Sequence, residues 1–347
     1  MRGARIWILL AIFALLSAAF WWQSGPLSFE MEMRRFLFKE DIAGAVVVIH
    51  ENDRPEEIIA LGRQAGRQEQ IRGDTRFPLA SLSKIFTAAS IRALVVDGRL
   101  KLDEKLIDIL PDLPYGDVRY GAVTVRHLLQ HTAGFEDHGF GDPLFDADGR
   151  VAGCQVAINL AARRRLSTSP GQVIRYSNTG YCLLGRILAK ITKKNYEESV
   201  REWISPTKNI RYLTLGPGKS EENLWTAIYP ASSWRALEAA GGWFGNGPAV
   251  ASLYAADIQK AMINAVPDAP FEEYYYGLGW RIWPQSQGYF LTHFGVLPGM
   301  YSFVIGFPDG SVAVGLFNGS PANAEASSRY LANLFAKRLH KKIAIHE

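Results

Sequence analysis

Residues 81–98, "SLSKIFTAASIRALVVDG", read as a helix with almost no polar side. Ile85, Phe86, Ala88, Ala89, Ile91, Ala93, Leu94, Val95 and Val96 run nearly all the way round it. A helix that is apolar on every side is buried on every side, so the fold needs further layers packed around this one element. A chain of 347 residues, 48% hydrophobic and 21% charged, is long enough to supply them. Lys84 stands in the first turn, three residues after Ser81. An ammonium buried without a partner costs several kcal/mol or gives up its proton. A lysine in such a helix needs a partner or a task.

The rest of the pattern divides the chain. "GAVVVIHEN" and "EEIIALGR" read as a strand pair, and Gly98 is placed to end the buried helix. The middle is mostly helical, with one apolar face each on "DEKLIDIL", "TVRHLLQH", "QVAINLAARRR", "TGYCLLGRILAKITKK" and "YEESVREWI". From about Gly241 the helix "AVASLYAADIQKAMI" precedes strands "YGLGWRIW", "YFLTHFG", "MYSFVIGF" and "SVAVGLFNG". The amphipathic helix "AEASSRYLANLFAKRL" closes the chain. Strand-rich ends around a helical middle predict an α/β (α+β) fold, with an antiparallel sheet flanked by helices. An all-helical lobe, approximately residues 99–235, is expected as an insertion in it.

The N-terminus reads differently. Arg2 and Arg5 precede an uninterrupted apolar or small run over residues 6–22, a charged leader followed by an export segment or a single membrane helix. Residues 17–19, "SAA", offer a cleavage site, whereas Trp21 and Trp22 resemble an interfacial anchor. Residues 1–25 are therefore expected to be a signal peptide or membrane anchor. Residues 26–347 are expected to be exported to the periplasm or cell exterior, with the cytoplasmic membrane as partner if the segment stays. Cys154 and Cys182 either pair in an oxidising compartment or remain two buried thiols.

Several function classes are disfavoured. The net charge of +4 is spread along the chain without a basic stripe interleaved with aromatics, so no nucleic-acid partner is expected. No phosphate loop and no dinucleotide fingerprint occurs, and no cofactor is expected. His127 and His131 have the i, i+4 spacing of zinc hydrolases, but Leu128 stands where the glutamate base would be, and His138 is the only other histidine nearby. No metal site is expected.

Three short constellations can carry chemistry. Ser81 and Lys84 share a helix face at the N-terminus, where free N–H groups favour developing negative charge. A desolvated lysine there can take the serine's proton, although many solvated helix starts also contain Ser-x-x-Lys. Tyr176 and Asn178 stand just before a helix and can offer a phenol and an amide to one side, or Asn178 can simply be the N-cap. His293 ends a strand beside Phe294 and Gly295, and a glycine there lets another chain approach closely. The plain alternative is a strand-end histidine with one hydrogen bond.

In this order and spacing, Ser81-Leu82-Ser83-Lys84, Tyr176-Ser177-Asn178 and His293-Phe294-Gly295 resemble the penicillin-recognising serine hydrolases. More narrowly, the chain resembles the superfamily of class C β-lactamases, D,D-peptidases and related esterases. "VTVRHLLQHTAGF", "PGQVIRYSNTGYCLLG", "AAGGWFGNGPAVASL" and "YGLGWRIW" extend the likeness over about residues 40–340. The resemblance implies an α/β lobe and a helical lobe with the site between them. It implies Ser81 as acyl-enzyme nucleophile, proton transfer shared by Lys84 and Tyr176, and Asn178 orienting Lys84 and the substrate amide. The N–H groups of Ser81 and Val296 would form the oxyanion hole. His293 occupies the place of a lysine in many β-lactamases, and Phe294 replaces a hydroxyl residue. A neutral or partly protonated His293 would then be a weaker, pH-dependent anchor for a substrate carboxylate than lysine, its hold falling as pH rises through the imidazole's titration. The implied substrates are small molecules or peptidoglycan-type peptides, by D,D-carboxypeptidase or β-lactamase-like action. The alternatives are an esterase on small acyl esters or a non-catalytic penicillin-binding sensor.

Overall fold

The computed structural model describes residues 27–66, 68–135, 143–204, 210–218, 229–259 and 265–345. The leader and His138 lie outside the described residues. Among those residues no helix is long and apolar enough to cross a membrane.

The main sheet has seven strands, each pair antiparallel. Across the sheet they run β2 (Glu57–Gly62), β1 (Gly44–His50), β10 (Val312–Phe317), β9 (Met300–Gly306), β8 (Tyr289–Leu297), β7 (Arg281–Pro284) and β6 (Tyr275–Tyr276). The longer helices are α1 (Phe29–Lys39), α2 (Ser83–Val96), α3 (Cys154–Arg163), α4 (Asn178–Thr192), α5 (Tyr196–Ile204), α6 (Gly247–Ile258) and α7 (Ala324–Arg338). This is the α/β architecture with a mainly antiparallel sheet that the strand and helix patterns predict.

Period-two alternation distributes the strand residues between two cores. On β1, Ala45, Val47 and Ile49 join Met33 and Phe36 of α1 and Leu331 and Phe335 of α7. Val46 and Val48 join the larger core on the opposite face, with Val250 and Leu253 of α6 and the apolar residues of α2. Both faces of β1 are covered, which is why its sequence is continuously apolar. The buried helix is confirmed in α2: Ile85, Phe86, Ala88, Ile91 and Leu94 are fully shielded. Its second cation, Arg92, pairs with Asp257 of α6, which also accepts a 2.9 Å bond from Trp280 Nε1.

Three features were not anticipated. Helix α1 precedes β1, and a small sheet pairs β3 (Arg76–Pro78), β5 (Trp243–Asn246) and β4 (Thr214–Leu215). Strands of two to four residues are too short for alternation to show. The segment "YGLGWRIW" is not one strand. Gly279, at φ 112°, turns the chain between β6 and β7, and a Cβ there would lie 2.3 Å from Ala88 Cβ of α2. Of the two readings of the cysteines, the bridge holds: Cys154 of α3 is bonded to Cys182 of α4.

Candidate active site

Helix α2 is entered through a single 3-10 turn, Ala80–Leu82, which carries Ser81. Ala80 has φ 44°, a left-handed conformation that costs a non-glycine residue about 1–3 kcal/mol. That strained turn places Ser81, half-buried, at the mouth of the helix.

Lys84 is fully buried one turn on. Its Nζ lies 3.2 Å from Ser81 Oγ, 2.6 Å from Asn178 Oδ1 and 2.6 Å from the carbonyl oxygen of Ala240. The last two atoms only accept. An uncharged amine can donate its two hydrogens to them and turn its lone pair to Ser81, and an ammonium can donate its third hydrogen to the serine instead. Both protonation states therefore fit the same three neighbours, as a proton-transfer group requires. The Ala240 carbonyl belongs to the short helix Glu238–Gly241, whose Ala239 carbonyl accepts from Thr87 at 3.0 Å.

Asn178 reaches Lys84 because it is not the helix cap. Ser177 caps α4, its hydroxyl accepting from the Gly180 N–H at 3.0 Å. The Asn178 amide is thereby released into the site. Tyr176 lies over Lys84, with Nζ 5.0 Å from its ring centre, and its hydroxyl is closed off from solvent. Burial, reinforced by Tyr276, holds that phenol well above its ordinary range, against the opposing pull of the Ser81 hydroxyl. The group is a neutral O–H at physiological pH.

Strand β8 forms the other wall. His293 is 3% exposed, and its Nδ1–H donates to the Phe294 carbonyl at 3.0 Å. Burial first, then the positive charges of Lys84 and Arg281, pull the imidazole down to about 3. Of the two charge states expected for His293, neutral or partly protonated, the structure favours the neutral ring, which removes the basis for the expected weakening through the imidazole's titration. A Cβ on Gly295 would lie 2.7 Å from Ser81 N and 2.7 Å from the Leu79 carbonyl oxygen, so only glycine lets β8 close on the nucleophile's turn. Val296 follows at the cleft edge, 40% exposed.

Ser81, Tyr176, Asn178, His293 and Val296 all line one cleft of about 400 Å³. Arg281 lines it too, and sequence reasoning missed it. It is 5% exposed, its Nη1 lies 3.0 Å from both oxygens of Glu325 on α7, and its guanidinium sits 4.2 Å from the Tyr274 ring centre. The signal was of the kind that exposed Lys84: a cation between Trp280 and Ile282 in an otherwise apolar stretch. His127 closes a capping box with Thr124, and His131 packs among tyrosines. Among the described residues no cluster of three His, Cys, Asp or Glu is placed to hold a metal ion.

Known proteins share this fold. Penicillin-binding protein 4 of Amycolatopsis lactamdurans is 25% identical over 337 residues, covering 86% of this chain and 85% of that protein. Other curated relatives match over less, with 38% and 36% of their own length spanned. The octameric penicillin-binding protein homologue from Pyrococcus abyssi superposes with a TM-score of 0.73 at 20% identity, covering 90% of this chain and 77% of that one. D-amino acid amidase from Ochrobactrum anthropi SV3, complexed with L-phenylalanine amide, gives a TM-score of 0.71 at 20% identity over 86% and 94% of the two chains. The Beta-lactamase family model matches residues 29–337, from the first described helix to the last. A serine addressed by a buried lysine, in that fold and under that match, places the chain in the Beta-lactamase family, as a serine hydrolase.

Proposed function

We propose that Ser81 forms an acyl-enzyme with amide, lactam or ester substrates that carry a carboxylate, in the manner of a D,D-carboxypeptidase or β-lactamase. The observation that carries this reading is the contact of Ser81 with Lys84 in a cleft whose strand wall holds Arg281. Ser81 Oγ attacks the acyl carbon, and its proton passes to Lys84 Nζ. The carbonyl oxygen takes the displaced electron pair and is received by the N–H groups of Ser81 and Val296. The bond to the leaving group breaks as that group takes a proton from the Tyr176 hydroxyl, which Lys84 replenishes. Water then attacks the ester and the protons return by the same route. Asn178 keeps Lys84 aimed.

Substrate class follows from charge. Among the described residues lining the cleft none is acidic, and Arg281 is a permanent cation there. A substrate carboxylate gains a charge-assisted bond from the guanidinium hydrogens that Glu325 does not take. The name of the Amycolatopsis relative, a penicillin-binding protein, supports the same substrate class. We further propose that the domain is exported and held by its N-terminal apolar run; the Cys154–Cys182 bridge suits an oxidising compartment.

The test is a peptide ending in a free carboxylate against the same peptide amidated. The free acid should be the better substrate in kcat/KM. Equal values, together with faster turnover of a neutral nitrophenyl ester, would favour the esterase alternative.

A further inference from the structure

His131 carries no part of the acyl transfer just described, yet it is buried and holds the segment around Tyr176 at three points. Its carbonyl accepts the N–H of Arg175 at 2.7 Å. Its ring Nδ1 accepts the N–H of Ser177 at 3.0 Å. Its ring stacks on Tyr176, with centres 4.5 Å apart and planes 29° from parallel. The residues on either side of Tyr176, and Tyr176 itself, are thus each fixed by one residue. The histidine is in turn stacked on Tyr181 at 5.0 Å and met edge-on by Tyr276 at 4.5 Å. It holds this place at φ 57°, left-handed backbone that most side chains avoid.

Tyr176 needs such a hold. Its hydroxyl has to address Ser81 and a leaving group in turn, and an error of about 1 Å in a reacting group can cost about 10²-fold in rate. We propose that His131 is a positioning residue that sets the aim of the Tyr176 hydroxyl. The neutral ring with a bare Nδ1 is the working form, because only that nitrogen can accept the Ser177 N–H. This inference rests on the proton-donor role given to Tyr176 above.

A double-mutant cycle on the full chain tests it, with the saturating rate of single-turnover acylation by a fluorescent penicillin as readout. His131→Leu should lower that rate about 10- to 100-fold and leave the half-saturating concentration nearly unchanged. In the Tyr176→Phe background the same change should cost no more than about twofold, because there is no hydroxyl left to aim. His131→Asn should recover part of the loss, since its Oδ1 can accept from Ser177 and asparagine tolerates the left-handed backbone. If His131→Leu does not fold, His131→Asn takes its place in the cycle, with a smaller loss that should likewise vanish beside Tyr176→Phe. Losses that simply add in the double variant would overturn the inference while leaving the role of Tyr176 standing. A Tyr176→Phe variant that acylates at the wild-type rate would overturn both.

Discussion

The two walls of the cleft handle buried charge in opposite ways. On the helical wall Lys84 keeps a titratable group dry, with two acceptors and a serine around it at hydrogen-bond distance. On the strand wall His293 is held neutral, and the charge is delegated to Arg281, which does not lose its proton and has Glu325 behind it. One wall is arranged to move a proton and the other to present a fixed charge. The hydrolysis of anionic substrates proposed above needs both, and the division predicts which variants alter the rate of chemistry and which alter binding.

The largest effect should come from the helical wall. Lys84→Met fills most of the same space but removes the proton carrier, and acylation should fall about 10²–10⁴-fold. Binding of a slowly reacting substrate should change little. Some stability should go as well, because Asn178 Oδ1 and the Ala240 carbonyl lose their donor. A loss of less than about threefold in acylation would make Lys84 a structural residue and erase the distinction between the walls.

The strand wall should respond in KM. Arg281→Gln should raise KM for a carboxylate-bearing substrate about tenfold, the scale of one lost charge-assisted bond, and leave a neutral ester nearly unaffected. If both substrates suffer equally, Arg281 supports the cleft's shape and does not read charge.

The smallest effect concerns His293 and sharpens the contrast. With the imidazole held at about 3, the pH profile of catalytic efficiency should show no histidine step near its ordinary 6.5 for either substrate. Stability should respond instead. Between about 3 and 6.5 the unfolded chain binds a proton that the folded chain refuses, so stability falls as pH drops through that window and is regained above it. Melting temperatures of wild type and His293→Gln at pH 5 and pH 7 check this: the variant should lose less on acidification. An equal loss would mean that His293 is not the neutral buried group described.

What could be read in the sequence was what is local. Ser81 and Lys84 are three apart on one helix, and an apolar surround marked the lysine before any contact was known. The strands β1, β9 and β10 announced themselves because both their faces are buried. Tyr176 and Asn178 needed the family resemblance, since in isolation the pair also fits a helix start, and the cap in fact falls to Ser177. The hidden parts depend on distant partners. Arg281 acquires meaning only when α7 brings Glu325 from 44 positions away. The Ala240 carbonyl is a backbone atom that no residue type announces, and the charge state of His293 stayed open between neutral and partly protonated because its burial beside Lys84 and Arg281 is a tertiary fact.

The most direct measurement is the mass of the protein after brief incubation with a penicillin, followed by mapping of the modified peptide. The structure predicts one acyl group per chain, attached at Ser81, absent from Ser81→Ala and formed far more slowly by Lys84→Met. An adduct on another residue would contradict the central claim that Ser81 and Lys84 are the acylating pair. So would rapid turnover of an ester by Ser81→Ala.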